Sequence, residues 1–265
     1  MAKFDIKNKL VLITGAAGNL GRQLCWAFAL AGAKIGACDI DANALAALSA
    51  EFAAKNIKIA TAAGDICERD ACVSMMADIR AQMQGAKIAV LINNAGISHI
   101  QPFLETDPTA EIERKVMSVN YFGAVNCSHA ALSDIIDNQG IIVAISSIAG
   151  FAPLVARTAY AASKHALHGF FSSLRAELHS KNVQCLLVCP SFVVAAADIS
   201  KPTSAIYQQK KTVGQSLAPD FVAAQVLTAV CHRRRLIVLG RMGKVAYWLQ
   251  RFFPALYESQ MRKRF

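Results

Sequence analysis

The most constraining feature of this sequence is the alternation of short apolar runs with longer, alanine-rich segments that have helical periodicity. Parallel strands buried on both faces read as continuous apolar runs, and strands that alternate with helices form βαβ units. The pattern therefore predicts an α/β fold, a doubly wound parallel sheet with helices on both faces, in a single domain. The predicted strands are the runs KLVLITG, AKIGACDI, IKIATAAGD, IAVLINNAG, GIIVAISS and VQCLLVCP.

The predicted doubly wound sheet indicates where a ligand would bind. In a sheet of this kind, crossovers are right-handed and ligands lie beyond the carboxyl ends of the strands. Residues 190–218 are rich in Pro, Ser, Thr and Gln and interrupt the alternation, so we expect a loop segment or short helices there. The helices are predicted to run to about Ala31, over 41–55, through Met83, over about 109–133 and over about 157–179.

Length and composition limit the class of protein. The chain has 265 residues, 54% of them hydrophobic, which suffices for one large buried core. Its eight cysteines form no C-x-x-C pair and no His/Cys cluster, so neither a metal site nor a disulfide framework is expected. No apolar run approaches the roughly 20 residues of a membrane-spanning helix. We expect a cytoplasmic protein, attached at most peripherally to a membrane surface.

The positive charge is concentrated near the carboxyl end. The formal net charge is +10, and residues 232–265, with nine Lys or Arg and one Glu, hold +8 of it. The run Arg233, Arg234, Arg235 has no nucleic-acid-binding motif around it, and such a run is usually a solvated face. We therefore expect no nucleic-acid partner.

The first predicted strand runs into a glycine-rich turn, TGAAGNLGR, at residues 14–22. Glycines at a strand-to-helix turn let the backbone approach a pyrophosphate, which then faces the positive end of the helix dipole. Asp39 ends the second strand, where a carboxylate accepts hydrogen bonds from adenosine ribose hydroxyls and repels a 2′-phosphate. Neither Gly18 nor Ile40 supplies a basic partner for that phosphate, so NAD is favoured over NADP as the cofactor. Asp41 is better placed than Asp39 to cap the next helix.

Further motifs follow in order: Asp65 after the third strand, NNAG at 93–96, Asn120 in VMSVNYFG, ISSIAG at 145–150 and YAASK at 160–164. Together with TGAAGNLG they make the chain resemble the classical short-chain dehydrogenases/reductases over nearly its full length. The resemblance implies a Rossmann-type fold, an oxidoreductase activity and the catalytic set Asn120, Ser147, Tyr160 and Lys164. It also implies cofactor contacts from Gly15, Gly18, Asn19, Leu20, Gly21, Asp39, Asp65, Ile66, Asn93, Ala95, Gly96, Tyr160, Lys164, Pro190 and Val193.

Tyr160 and Lys164 lie one helical turn apart, so their side chains share a helix face. A free phenol has a pKa of about 10, and positive charge from Lys164 and an oxidised nicotinamide is expected to lower the pKa of Tyr160. Tyr160 would then exchange a proton with an alcohol or carbonyl while Ser147 hydrogen-bonds the reacting oxygen. By resemblance, Lys164 also binds the nicotinamide ribose and Asn120 anchors a water. The Y-x-x-x-K spacing recurs at Tyr207, but no strand-borne serine precedes Tyr207 at the spacing that separates Ser147 from Tyr160.

Two segments depart from the family pattern. Asn19 stands where the classical turn has glycine, and the glycines instead follow the T-G-x-x-G-x-x-G spacing of the extended subfamily. A nucleotide-sugar epimerase or dehydratase is therefore an alternative. Ser191 and Ala195 replace the glycine and threonine of the usual P-G-x-V-x-T segment, which puts cofactor affinity or loop closure in doubt. A non-catalytic NAD-binding regulatory protein is a second alternative, although the complete catalytic set argues against it.

The segments expected to face the substrate are mostly apolar: ISHIQPF, IAGFAPLVA and FVVAAADI. They hold no cluster of Arg or Lys that could clamp a phosphate or a carboxylate. We therefore expect a secondary alcohol, ketone or aldehyde on a hydrophobic body, such as a steroid, a retinoid or a long-chain compound. The candidate pocket residues are His99, Phe151 and Phe192.

We assign residues 1–240 to a Rossmann-type catalytic domain, with 190–218 as its substrate-loop segment. Residues 241–265 form a basic aromatic tail that packs on or beside this domain, with Tyr247, Trp248, Leu249, Phe252 and Phe253 among Lys and Arg. Such a tail suits the headgroup region of a membrane. It could instead cover the substrate pocket or form a subunit interface, and we slightly favour these two roles over the membrane. The resemblance also implies a homodimer or a homotetramer.

Overall fold

The computed structural model describes residues 3–193 and 216–263. At its centre is a parallel sheet whose strands are β1 (Leu10–Thr14), β2 (Lys34–Asp39), β3 (Ala60–Ala63), β4 (Ile88–Asn93), β5 (Ile141–Ile145), β6 (Gln184–Pro190) and β7 (Leu236–Leu239). Their order across the sheet is β3-β2-β1-β4-β5-β6-β7. The strand order reverses between β1 and β4, and this reversal is the switch point at which open α/β sheets bind ligands.

Helices cover both faces of the sheet. They are α1 (Asn19–Leu30), α2 (Ala42–Ala53), α3 (Arg69–Gln82), α4 (Glu111–Met117), α5 (Gly123–Asp137), α6 (Thr158–Glu177), α7 (Pro219–Cys231), α8 (Arg241–Phe252) and α9 (Pro254–Arg262). A π-helical turn, Ser118–Phe122, joins α4 to α5. The single helix predicted over 109–133 is therefore wrong in detail: the segment is two α-helices with a wider turn between them.

Two apolar layers hold the helices to the sheet. β4 and β5 are buried along their whole length, as the continuous apolar runs predicted. One layer packs α1, α2 and α7 against the sheet, and the other packs α3, α5 and α6 on the opposite face. This architecture confirms the predicted doubly wound α/β fold in one domain. Large side chains in the two layers include Leu24, Phe28, Phe52, Val226, Ile79, Ile135 and Phe171.

The region after residue 218 contains elements that the sequence pattern did not reveal. β7 is only four residues long and directly follows the run of three arginines, yet it pairs with β6 through Leu187 and Leu236. α8 and α9 then fold back onto the loop after β5, where Ala152, Ala246 and Tyr257 form a small apolar cluster. Of the helices in the described ranges, none is both long enough and apolar enough to cross a membrane.

Candidate active site

The glycine-rich turn between β1 and α1 leaves no room for larger side chains. Gly15 has φ +61°, and a Cβ on it would lie 2.8 Å from the Cα of Ala95. A Cβ on Gly21 would lie 2.0 Å from the carbonyl oxygen of Gly15. Gly18 caps α1 without a side-chain hydrogen bond, and the first turn of α1, with Asn19 and Leu20, holds no acidic residue. The turn is therefore a close-packed backbone cradle at the positive end of a helix dipole, which suits an anion.

A set of hydrogen bonds joins this turn to the end of β4. The Thr14 hydroxyl accepts hydrogen bonds from the backbone N–H groups of Asn94 and Ala95, each at 3.1 Å. The Asn94 side chain donates to the carbonyl oxygens of Thr14 and Gly15, each at 3.0 Å. We did not single out Thr14 or Asn94 from the sequence, although both lie within motifs that we quoted. Their bonds fix the two strand ends that border the switch point.

Asp41 caps the next helix as predicted, while Asp39, at the end of β2, contacts the glycine-rich turn. The Asp41 carboxylate accepts from Ala44 N at 3.0 Å and caps α2. The Asp39 carboxylate accepts from Ala17 N at 3.0 Å and from Asp41 N at 3.2 Å. These bonds hold the negatively charged Asp39 carboxylate beside the glycine-rich turn.

Further predicted cofactor residues lie directly after β3 and at the end of β4, at the same edge of the sheet as the glycine-rich turn. Asp65 accepts a hydrogen bond from Cys67 N at 2.8 Å, and a Cβ on Gly123 would lie 2.5 Å from the Cδ1 of Ile66. Asn93 is buried, and its amide donates to Ser128 at 3.3 Å. The Asn93 side-chain oxygen is buried without a hydrogen-bond partner in the described part of the chain.

Asn120 lies in the π-helical turn, and its side chain joins three segments. Its oxygen accepts from Ile97 N at 2.8 Å, and its nitrogen donates to Ile97 O at 3.0 Å and to the Ser163 hydroxyl at 2.9 Å. Ser163 in turn donates to the carbonyl of Tyr160 at 2.8 Å. Asn120 therefore positions the loop after β4 and the helix that carries Tyr160. All three bonds join the Asn120 side chain to other protein groups. They do not test whether Asn120 anchors a water, which stays a prediction.

Tyr160, Lys164 and Ser147 meet where β5 ends against α6. The Ser147 hydroxyl lies close enough to the Tyr160 hydroxyl to lower the pKa of the phenol. The Lys164 ammonium donates to the carbonyl of Ile145 at 2.9 Å and lies 5.6 Å from the centre of the Tyr160 ring. A Cβ on Gly96 would lie 3.1 Å from the Asn120 side-chain oxygen, which is a tight contact, and 3.5 Å from the Lys164 nitrogen. The structure thus brings together the residues that the sequence predicted as catalytic.

The electrostatics of this cluster qualify one expectation. Burial raises the pKa of Tyr160, and this effect outweighs the lowering by the Ser147 hydroxyl and by the charge of Arg157. Burial also lowers the pKa of Lys164 to about 8. In the protein without a dinucleotide the pKa of Tyr160 is therefore raised, whereas the expected lowering by Lys164 together with an oxidised nicotinamide stays a prediction. The desolvation of both groups is the larger effect, and the cation that lowers the phenol pKa is Arg157.

The predicted pocket residues lie on loops around this cluster. His99 lies in the loop after β4, which pairs with the loop after β5 through Gln101 N and Ala156 O at 2.8 Å. Phe151 packs edge-on against Tyr247 of α8, with ring centroids 5.0 Å apart. Phe192 follows β6 and accepts a hydrogen bond from Leu217 N.

Several known proteins are similar to this chain in sequence. The sequence model for short chain dehydrogenases matches residues 9–205. The chain is 35% identical over 270 residues to dehydrogenase/reductase SDR family member 7B of Bos taurus, with 98% of this chain and 82% of that protein covered. The chain belongs to the short-chain dehydrogenase/reductase family. It is also 31% identical to dehydrogenase/reductase SDR family protein 7-like of Dictyostelium discoideum, with 97% and 82% covered.

Solved structures of other short-chain dehydrogenases/reductases have the same fold. One from Burkholderia phymatum, in complex with NAD, has a TM-score of 0.84 at 22% identity and covers 96% of both chains. A short-chain dehydrogenase from Streptomyces avermitilis has a TM-score of 0.82 at 23% identity, with 97% of this chain and 98% of that chain covered. These structural similarities agree with the α/β fold described above.

The segment after β6 is where this dehydrogenase/reductase departs most from the family pattern. Pro190 ends β6, and Val193 forms an isolated bridge with Leu217. Ser191 sits against Gly240, where an added Cβ would lie 2.5 Å from the serine oxygen. Glycine at 240 therefore accommodates the serine. Two residues named from the sequence, Ala195 and Tyr207, lie outside the described residues.

Proposed function

We propose that the protein is an NAD-dependent oxidoreductase that interconverts a secondary alcohol and a ketone or aldehyde on a hydrophobic substrate. The observation that carries this proposal is the meeting of Tyr160, Ser147 and Lys164 where β5 ends against α6, with the Lys164 ammonium 5.6 Å from the centre of the tyrosine ring. A tyrosine and a serine hydroxyl close together at the carboxyl end of β5, beside the switch point, form a site that can bind and protonate one oxygen atom.

The roles of the residues follow from their protonation states. Because the pKa of Tyr160 is raised, its hydroxyl keeps its proton at neutral pH and is available to donate it to a carbonyl oxygen. Ser147 donates a second hydrogen bond to that oxygen and stabilises the negative charge that develops there. Lys164 keeps the helix face positively charged below its pKa of about 8. A bound nicotinamide dinucleotide would supply or accept the hydride.

The backbone cradle fits the phosphates of such a dinucleotide. Gly15 and Gly21 let the turn pack closely against Ala95 and against its own backbone, and the free N–H groups at the start of α1 would then face a phosphate. The Asp39 carboxylate beside the cradle supports NAD rather than NADP, since a 2′-phosphate would meet a like charge. A structurally similar short-chain dehydrogenase/reductase solved in complex with NAD supports a nicotinamide dinucleotide as the cofactor.

The substrate class rests on the loops around the site. Phe151 and Phe192 lie on the loops after β5 and β6, and the segments IAGFAPLVA and FVVAAADI contain no Arg or Lys. We therefore propose a hydrophobic body, such as a steroid, a retinoid or a long-chain alkyl group. Apolar ketones should then raise the melting temperature of the dinucleotide-bound protein more than phosphosugars or acyl-CoA compounds do.

Tyr160→Phe is the decisive variant for this mechanism. It removes the proton donor and should lower kcat/KM for apolar ketones by about 10² to 10⁴-fold, while dinucleotide binding persists. Turnover is followed by nicotinamide absorbance and binding by calorimetry. Tyr121→Phe is the matched control, because Tyr121 packs on Phe170 and should tolerate loss of its hydroxyl. Equal turnover by Tyr160→Phe and Tyr121→Phe would falsify the mechanism.

One alternative retains a specific observation in its favour. Gly15, Gly18 and Gly21 follow the spacing of the extended subfamily, whose members include nucleotide-sugar epimerases and dehydratases. That alternative requires a nucleotide-sugar to be converted without net change in the dinucleotide. If dinucleotide binds but neither substrate class turns over, the non-catalytic regulatory role replaces both.

Two further properties belong to the proposal. We propose a reducing, cytoplasmic compartment, which is consistent with all eight cysteines being free thiols, six of them buried. We also propose a homodimer or homotetramer. Light scattering of the purified protein measures the assembly, and a monomer would contradict it.

A further inference from the structure

The outer face of α8 carries an apolar surface that no other described element covers. Val245, Trp248 and Phe252 recur at helical spacing and are 57%, 57% and 61% exposed. The rings of Trp248 and Phe252 stack with centroids 5.6 Å apart, and Phe253, which follows α8, is 62% exposed. We call these four residues the α8 strip. Large apolar side chains that are exposed together mark an interaction surface.

The other face of α8 packs on the catalytic domain and fixes the direction of the strip. Ala246 and Gly243 are buried, and a Cβ on Gly243 would lie 3.1 Å from the Cγ2 of Ile148. Tyr247 packs edge-on against Phe151. The Tyr257 hydroxyl of α9 donates to the carbonyl of Pro153 at 3.1 Å. α8 and α9 therefore cover the loop that follows Ser147, and the α8 strip faces away from it.

Positive charge flanks the strip. α8 contains Arg241, Lys244 and Arg251 and no acidic residue. In the described chain, no ion pair joins these three cations to a carboxylate. Residues 241–265 as a whole hold six basic residues and one acidic residue, a formal charge of +5. An apolar strip with Trp and Phe beside unpaired Lys and Arg is complementary to an anionic bilayer, where acyl chains lie beneath negative headgroups.

A second copy of the chain fits this surface less well. A twofold interface through the strip would place the same patch of each subunit against the other. Because α8 has no acidic residue, such an interface would bring the basic side chains of both α8 helices together without a carboxylate from α8 to pair them, and like charges would repel. The charge pattern therefore favours lipid as the occupant.

We propose that the α8 strip docks the protein on an anionic lipid surface, with Trp248 and Phe252 in the headgroup region and Arg241, Lys244 and Arg251 against lipid phosphates. Docking would place α8 between the loop that follows Ser147 and the membrane, where an apolar compound is dissolved. The proposal does not depend on the enzymatic activity, because lipid binding is measured without turnover.

Vesicle sedimentation of the full chain tests this. The wild type should bind phosphatidylcholine vesicles that contain phosphatidylserine, bind pure phosphatidylcholine vesicles more weakly, and lose binding as salt is added. A double variant, Trp248→Ser with Phe252→Ser, should lower the partition coefficient by at least about tenfold. Lys244→Glu with Arg251→Glu should lower it on anionic vesicles only.

The matched control removes exposed apolar side chains elsewhere. Leu30 and Leu104 are 75% and 99% exposed, and Leu30→Ser with Leu104→Ser should bind vesicles like the wild type. Melting temperatures confirm that each variant is folded. Absence of wild-type binding to anionic vesicles, or equal binding by the Trp248/Phe252 variant, overturns the proposal. So does a wild-type oligomer that this variant dissociates while no vesicle binding is detected, since the strip is then a subunit interface.

Discussion

Gly21→Ala tests how tightly the glycine-rich turn is built. Gly21 lies in the first turn of α1, and a Cβ there would lie 2.0 Å from the carbonyl oxygen of Gly15 and 2.8 Å from the Cα of Ala16. Non-bonded carbon atoms in contact are about 3.5 Å apart. The backbone of the turn would therefore have to move by about 1 Å, because no flexible side chain is available to yield.

The magnitude follows from two opposing effects. Overpacking costs about 1–3 kcal/mol, and a clash with backbone atoms belongs at the upper end. Alanine is favoured over glycine inside a helix by about 1 kcal/mol. We expect a net loss of about 2 kcal/mol, which lowers the melting temperature by about 4–8 °C in a domain of this size. The displaced turn should also weaken NAD binding, since phosphate contacts depend on the same backbone.

Thermal denaturation followed by circular dichroism measures the effect, with Gly169→Ala as the control. Gly169 lies in α6, and a Cβ on it would meet no atom within 4 Å. This variant gains the same helix propensity without a clash, so it should be stabilised by up to about 1 kcal/mol. If Gly21→Ala melts at or above the wild-type temperature, as Gly169→Ala should, the turn is not close-packed and the cradle argument is wrong.

Two other predictions concern cofactor choice and pH. Asp39→Asn removes the negative charge beside the turn and should lower the preference for NADH over NADPH in kcat/KM by at least about tenfold; an unchanged ratio would contradict the role of Asp39. Burial, with the charges of His165 and Lys164, lowers the pKa of His168 to about 4, whereas an unfolded chain has a histidine pKa near 6.5. The unfolded state therefore binds more protons between these values, and stability falls as the pH drops from 6.5 towards 4. His168→Gln should recover about 1 kcal/mol of this loss at pH 5, allowing for partial exposure, and urea denaturation at pH 7 and pH 5 checks it; parallel curves for both proteins would refute the assignment.

Much of the fold could be predicted because its signals are local. A strand such as β4 is buried on both faces and must be apolar at every position, so a continuous run identifies it. Asp41 could be separated from Asp39 because an N-cap must stand directly before the helix. β7 and α8 were missed, because a strand of four residues beside three arginines gives a weak local signal.

The candidate site divides in the same way. The order and spacing of the motifs sufficed to choose Ser147, Tyr160 and Lys164, which the structure brings together. Arg157 and Ser163 could not be chosen from the sequence. The influence of Arg157 on Tyr160 and the bond from Asn120 to Ser163 depend on which segments meet in space.

The sequence by itself determined six of the seven strands, the glycine-rich turn and the identity of the hydroxyl and ammonium groups at the site, since these follow from periodicity and short-range spacing. Only the tertiary structure decided the protonation of that site and the outward direction of the α8 strip. The pKa of Tyr160 is set by how much water the surrounding segments exclude and by which charges they bring near. Similarly, the aromatic residues of α8 divide into those packed on the protein and those left exposed only when α8 lies against the loop after Ser147.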